Sequence, residues 1–245
     1  MSQVSVNPYV ELGTELPIGL AAIIGAIPFP ATIENIVSQI ETFIAGLGWL
    51  PGNHATTMEI NNVARSVINS YVNGPIGNYG GAQMRIINML TWPSFTSNLT
   101  VDSLSNRILD IEDFISKAGL PVQEQNPLFM ATMVGQAAYT YWLAQIALGG
   151  GSSWNTNYFV PALTSATANV PYWVSAGMQG ALIGAKSTMK GMIEQTTQIV
   201  TVQITSALIG ALMLSAGRVI FKWIPRIGNG TGISLSGGGC GCGGH

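Results

Sequence analysis

Apolar residues recur at helical spacing through much of the first half of the chain. After Thr32, for example, Ile36, Ile40 and Ile44 fall on one side of a helix. No segment alternates apolar and polar residues as a half-buried strand would. Thr32 is of a type that caps helix starts, and Gly119 is of the type that closes helix ends. The pattern therefore predicts amphipathic helices over residues 33–47, 55–72, 81–92 and 101–118.

An apolar segment near the N-terminus, residues 16–31, is interrupted by Pro17, Pro28 and Pro30. The stretch between Pro17 and Pro28 would rise about 15 Å as a helix, which is half of a hydrocarbon core about 30 Å thick. We therefore expect this segment to be interfacial or buried and not to span a membrane.

The second half of the chain predicts longer helices. Asn126 and Pro127 have the residue types of a helix N-cap and first helical position. A helix over 127–148 would measure about 33 Å, which is enough to cross a bilayer core. Further helical segments are predicted at 171–192 and 193–224, either as two helices or as one continuous helix.

Charge is scarce and unevenly distributed. Charged residues make up 8 % of the chain, against about 25 % in soluble domains, and the run from Gln125 to Ala185 has none. Residues 1–124 carry ten acidic and four basic side chains, whereas residues 125–245 carry one and five. A surface without Lys and Glu suits contact with lipid or with other protein, and we take lipid as the first interpretation.

The fold expected from these patterns is all-α, a multi-helix membrane-associated protein with amphipathic N-terminal helices and two long, largely uncharged C-terminal helices. Its predicted regions are an acidic amphipathic helical region at 1–124, an uncharged membrane-embedded helical region at 125–228 and a Gly/Cys-rich flexible tail at 229–245.

Small residues recur every four positions on the uncharged helices. This spacing lets two helix backbones approach closely, which is how helices associate in lipid. Close packing inside a soluble helical bundle is the alternative interpretation. The predicted helix-packing residues are Ala131, Gly135, Gly180, Gly184, Ala207, Ala211 and Ser215.

A basic and aromatic cluster follows the last uncharged segment. Arg218, Lys222 and Arg226 fall on one helical face, and Trp223 lies beside them in the sequence. Aromatic rings favour the headgroup region of a bilayer, and basic side chains favour lipid phosphates. We therefore predict that these four residues lie at a membrane interface, with a solvated basic face as the alternative.

Residues suited to catalysis are few. His54 and His245 are the only histidines, and no nucleophile elbow, phosphate-binding loop or dinucleotide-binding fingerprint occurs. The acidic cluster Asp110, Glu112 and Asp113 has the residue types that bind Mg²⁺ or transfer protons. Its place on an amphipathic helix, with Arg107 nearby in the sequence, instead predicts a solvated helix face.

The tail contains both cysteines, Cys240 and Cys242, together with His245. These ligands suit a soft metal, but tetrahedral zinc would need a fourth ligand, for example from a neighbouring chain. We interpret the tail as a flexible segment, and we predict no catalytic site, no cofactor and no nucleic-acid interface.

These features favour a non-enzymatic structural or assembly protein in a cellular or virion membrane. Its expected partners are the lipid bilayer and copies of itself or other structural proteins, with no small-molecule substrate. A virion or envelope component is the nearest class. The alternatives are an oligomeric pore or channel whose Thr and Gln stripes line water, and a soluble helical assembly protein buried within a larger particle.

Overall fold

The structure, a computed structural model, describes residues 7–28, 30–47, 57–73, 81–90, 100–148, 166–189 and 196–221. This part of the chain is folded into eight helices and contains no strand, which confirms the all-α prediction for the described residues. Helices α1 to α8 span Val10–Ala26, Ile33–Ala45, Thr57–Asn73, Gly81–Leu90, Val101–Lys117, Val122–Ala147, Ala166–Met189 and Thr196–Phe221.

Helices α2 and α5 begin at side-chain caps. The Thr32 hydroxyl accepts a hydrogen bond from the Asn35 N–H at 3.2 Å, and the Asn35 side chain accepts one from the Thr32 N–H at 3.0 Å. Thr100 and Ser103 make the same reciprocal pair at the start of α5. Gly119, at φ 65°, follows the end of α5. These caps satisfy backbone groups that a helix end leaves unpaired.

Prolines stand inside three helices, and for two of them, α6 and α7, the predicted start was too late. Pro17 lies inside α1, Pro127 inside α6 and Pro171 inside α7. The prediction that Asn126 caps α6 and Pro127 opens it is therefore wrong, because α6 begins at Val122. A proline removes one backbone hydrogen bond from a helix. Pro127 is itself buried, so apolar contacts offset that loss.

Helices α7 and α8 form an antiparallel pair, which we call the hairpin. Gly180 lies against Gly210, and Gly184 lies against Ser206. Later residues of α7 therefore meet earlier residues of α8, which means that the two helices run in opposite directions. The two segments are therefore separate helices and not one continuous helix. Every residue from 173 to 185 and from 203 to 217 is buried.

The other six helices, α1 to α6, surround the hairpin, and we call them the sheath. Helices α3, α4, α5 and α6 pack on α7, while α1, α2, α3 and α6 pack on α8. Buried side chains of α1, such as Leu12, Leu16 and Leu20, join those of α8 in one hydrophobic core. The uncharged middle of the hairpin is thus enclosed by amphipathic helices of its own chain.

Candidate functional site

A buried carboxylate, Glu112 of α5, lies at the junction of α5, α6 and the segment before α1. The residue is 8 % exposed. Its Oε1 accepts hydrogen bonds from Asn7 Nδ2 at 2.6 Å and from Thr132 Oγ1 at 2.8 Å. Its Oε2 accepts one from Gln136 Nε2 at 3.0 Å. Both carboxylate oxygens are therefore hydrogen-bonded to neutral donors, as buried polar groups require.

Asn7 joins this polar cluster to the start of α1. Its Nδ2 also donates to the Phe129 carbonyl oxygen at 2.9 Å, and its Oδ1 accepts from the Tyr9 N–H at 3.1 Å. Burial raises the pKa of Tyr9 to about 12, so that phenol stays neutral at ordinary pH. We define the polar cluster as Asn7, Glu112, Thr132 and Gln136.

The expectation that the acidic residues of α5 form a solvated face is wrong for Glu112. Asp110 and Asp113 are exposed, and Asp113 pairs with Lys117 at 2.6 Å on the surface. Glu112 differs because it stands four residues after Ile108, on the edge of the buried stripe of α5. That spacing, and the facing pair Thr132 and Gln136 one turn apart on α6, is the signal that the sequence analysis missed.

The polar cluster suits a structural role better than a chemical one. The two carboxylate oxygens are occupied by donors from the protein, and the carboxylate is shielded from solvent. Removing one partner would leave a buried polar group unpaired, which destabilises the fold. In the described part of the chain, no group of three or more His, Cys, Asp or Glu residues is placed to hold a metal ion.

The contact within the hairpin is made by backbone rather than by side chains. A Cβ built on Gly180 would overlap the carbonyl oxygen of Gly210, and one built on Gly210 would overlap that of Gly180. A Cβ on Gly184 would likewise overlap the carbonyl oxygen of Ser206. Only a residue without a Cβ permits so close an approach at these positions.

The structure places most of the predicted helix-packing residues at this one interface. The Ala211 nitrogen lies 3.0 Å from a Cβ built on Gly180, and the Ala207 Cα lies 3.3 Å from one built on Gly184. Ser215 faces Gly177, and the Ser215 hydroxyl makes no hydrogen bond to the residues that the structure describes.

The two remaining predicted packing residues, Ala131 and Gly135, lie on α6 and are buried. A Cβ on Gly135 would lie 2.8 Å from the sulfur of Met178 on α7. Helix α6 therefore meets α7 closely, and it also packs on α8. Helix α7 makes its most extensive contacts with α8 and α6.

Some polar side chains of the hairpin form hydrogen bonds within their own helices, and Ser175 and Ser187 also bond to the sheath, at the Leu90 carbonyl oxygen (3.4 Å) and at Ser66 Oγ (3.1 Å). Gln179 Nε2 donates to Ser175 Oγ at 3.0 Å on α7. Thr205 Oγ1 donates to the Thr201 carbonyl oxygen at 2.9 Å on α8. These groups are buried or half-buried, so partners inside the same helix remove the penalty of burying them.

Charged side chains stand at opposite ends of the hairpin. Lys186 follows the uncharged part of α7; burial lowers its pKa to about 8, and the nearby carboxylate of Glu124 opposes this shift. At the other end, the Arg218 guanidinium lies 5.6 Å from the centre of the Tyr172 ring. Of the predicted membrane-interface residues, Lys222, Trp223 and Arg226 lie outside the described residues. The candidate metal ligands Cys240, Cys242 and His245 lie outside them as well.

One helix among the described residues, Val200–Ile220, is long and apolar enough to cross a membrane, and 78 % of its most apolar window is buried within the protein. A core helix of a soluble protein passes the same test. Comparison of the chain with known protein families, with curated proteins and with solved structures found no match.

Proposed function

We propose that this protein is a non-enzymatic structural protein that associates with a lipid membrane and assembles with copies of itself or with other structural proteins. The observation that carries the proposal is the hairpin. Its segments 166–185 and 196–217 contain no charged residue, and both helices are buried on all sides along most of their length. A helix that is apolar all round belongs in the core of a large protein or in a membrane.

The rest of the chain favours the membrane over a purely soluble core. A soluble domain with so large a sheath normally covers it with charge, yet only 8 % of this chain is charged. Large apolar side chains are also exposed on the sheath, including Ile18 at 54 % and Leu148 at 69 %. We favour a virion or envelope membrane as the setting, with the acidic faces of the sheath turned to water or to neighbouring copies.

Flotation of the purified full-length chain with anionic lipid vesicles tests this proposal. We expect the protein to float with the vesicles and to form oligomers whose mass is measured by sedimentation. Arg218→Gln should weaken flotation because Arg218 is expected to meet lipid phosphates. Arg65→Gln, which removes one exposed charge from α3, is the matched control and should float normally. A monomer that stays in the vesicle-free fraction would contradict the proposal and favour a soluble assembly protein.

A pore or channel is the second candidate function. Buried polar side chains occur along α8, where Gln203, Thr205 and Ser206 are each less than a tenth exposed. In an oligomer of hairpins these side chains would line water. Ion efflux from sealed vesicles separates the two functions, because a scaffold binds vesicles without releasing their contents.

A further inference from the structure

We infer that the hairpin enters the bilayer as a unit, exchanging its contacts with the sheath for contacts with lipid while keeping the α7–α8 interface. This inference rests on the proposed membrane association and adds a mechanism to it. The hairpin makes two kinds of contact, one within itself and one with the sheath.

The contact within the hairpin is of the kind that persists in lipid. Gly180, Gly184 and Gly210 bring backbone against backbone, and helices in membranes associate through small residues in this manner because van der Waals packing does not depend on water. Nothing in this interface has to be broken when the surrounding medium changes from protein to acyl chains.

Most of the contact between hairpin and sheath is apolar, and lipid can replace contact of this kind. Leu212 of α8 and Phe43 of α2 both lie at Gly19 of α1, where a Cβ would be 2.8 Å from Leu212 Cδ2. Val67 of α3 packs in the same way beside Gly210. Such contacts are driven by removal of apolar surface from water, and a hydrocarbon core removes the same surface from water equally well.

Two hydrogen bonds cross from the hairpin to the sheath and would break on transfer, one from Ser175 Oγ to the Leu90 carbonyl oxygen at 3.4 Å and one between Ser66 Oγ and Ser187 Oγ at 3.1 Å. Other polar groups of the hairpin keep their partners. Gln179 keeps its bond to Ser175, and Thr205 keeps its bond to the Thr201 carbonyl, because both bonds lie inside one helix. A polar group without a partner in hydrocarbon costs several kcal/mol, so these internal bonds matter. At about 1.5 Å per residue, the 24 residues of α7 and the 26 of α8 exceed a core of about 30 Å.

The polar cluster belongs entirely to the sheath. Glu112 lies on α5, Thr132 and Gln136 lie on α6, and Asn7 precedes α1. These hydrogen bonds hold α5, α6 and the start of α1 together without a hairpin residue. The sheath therefore retains a specific polar connection of its own when the hairpin leaves.

Two engineered disulfides distinguish release of the hairpin from other forms of binding. Both are made in full-length protein whose tail cysteines are replaced, Cys240→Ser and Cys242→Ser. The pair Gly19→Cys and Leu212→Cys ties α8 to α1 and locks the hairpin in the sheath. The matched pair Gly177→Cys and Ser215→Cys ties α7 to α8, where a Cβ on Gly177 lies 2.6 Å from Ser215 Oγ, and leaves the hairpin free to move as a unit.

Flotation reports binding to anionic vesicles, and resistance to alkaline carbonate extraction reports insertion. We expect the α1–α8 disulfide to abolish carbonate resistance while flotation remains, and we expect reduction to restore it. The α7–α8 disulfide should leave carbonate resistance intact. Recovery of carbonate resistance after reduction would show that the protein with the α1–α8 disulfide is folded.

The inference is overturned if the α1–α8 disulfide protein resists carbonate as well as its reduced form does. It is also overturned if the cysteine-free parent floats but carbonate extracts it, which is peripheral binding and leaves the proposed membrane association standing. If the parent does not float, the proposed function fails and the inference fails with it.

Discussion

At the scale of single residues, Glu112 connects parts of the sheath that are distant in sequence. Its carboxylate accepts hydrogen bonds from Asn7, which lies 105 residues earlier, and from Gln136, which lies 24 residues later. Such a buried group specifies one arrangement of its neighbours, because any other arrangement leaves donors and acceptors unpaired.

Glu112→Gln should lower the free energy of unfolding by about 1–3 kcal/mol. The amide keeps the size of the side chain but turns one acceptor into a donor, which then faces the donors of Asn7, Thr132 or Gln136. Asp110→Asn, on the exposed side of α5, is the control and should change stability by less than about 0.5 kcal/mol. Urea unfolding measures both, and equal effects at the two positions would contradict the structural role of the polar cluster.

Lys186 predicts a dependence of stability on pH. Its folded-state pKa of about 8 lies below the ordinary value of 10.5 because burial disfavours the charged form. Between these two values the unfolded chain binds more protons, so the free energy of unfolding should rise with pH.

Lys186→Met should remove that rise and stabilise the protein at neutral pH by about 1 kcal/mol, after allowance for the solvent screening of a half-exposed group. Thermal or urea unfolding across the window from pH 8 to 10.5 measures this. A parent protein whose stability is flat over that window, or a destabilised Met variant, would refute the prediction.

The sequence predicts residue environments only where a pattern is local. The burial of Ile36, Ile40 and Ile44 follows from their spacing along α2, and the structure buries all three. The partner of Glu112 on α6 does not follow from any local pattern, because it depends on how two helices are placed in space. An isolated acidic residue at the edge of an apolar stripe is normally solvated, and only the donors facing it make burial favourable here.

At the scale of helices, the capping residues predicted helix ends correctly, whereas the prolines predicted helix starts that are wrong. The caps at Thr32 and Gly119 lie where the sequence placed them. Pro127 and Pro171 have the residue type of a first helical position, but both lie inside longer helices. Burial of both prolines compensates for the lost hydrogen bonds, and that compensation is tertiary and invisible to a local rule.

The hairpin interface predicts a graded response to added methyl groups. Gly180→Ala should lower the free energy of unfolding by about 1–3 kcal/mol, because its Cβ meets backbone that must move. Gly135→Ala should cost less, because its Cβ meets the flexible side chain of Met178. Gly81→Ala is the control, since nothing lies within 4 Å of its Cβ.

Stability of Gly81→Ala should be unchanged or raised by up to about 1 kcal/mol, as expected for alanine in a helix. Urea unfolding of the three variants under one condition gives the order. If Gly180→Ala is tolerated as well as Gly81→Ala, the two backbones do not approach as closely as described.

At the scale of the whole molecule, the protein encloses the uncharged segments 166–185 and 196–217 of the hairpin within amphipathic helices. Among the described residues, the exposed acidic side chains lie on α1 to α6, for example Glu59 on α3 and Asp102 on α5. The hairpin is the most deeply enclosed element, and its helix α8 contains the one candidate membrane span among the described residues. Under the proposed membrane association, enclosure by the sheath would keep the hairpin away from water until the protein meets a membrane.

The environment of Leu212 tests the proposed membrane role most directly. Its side chain faces α1 in the enclosed state, beside Gly19, and would face acyl chains once the hairpin has entered a bilayer. A fluorophore on Leu212→Cys, in protein without the tail cysteines, should be quenched by brominated lipid acyl chains when vesicles are added. The same fluorophore on Asp110→Cys, on the exposed acidic face of α5, should not be quenched. Vesicle-bound protein whose position 212 shows no quenching would contradict the account.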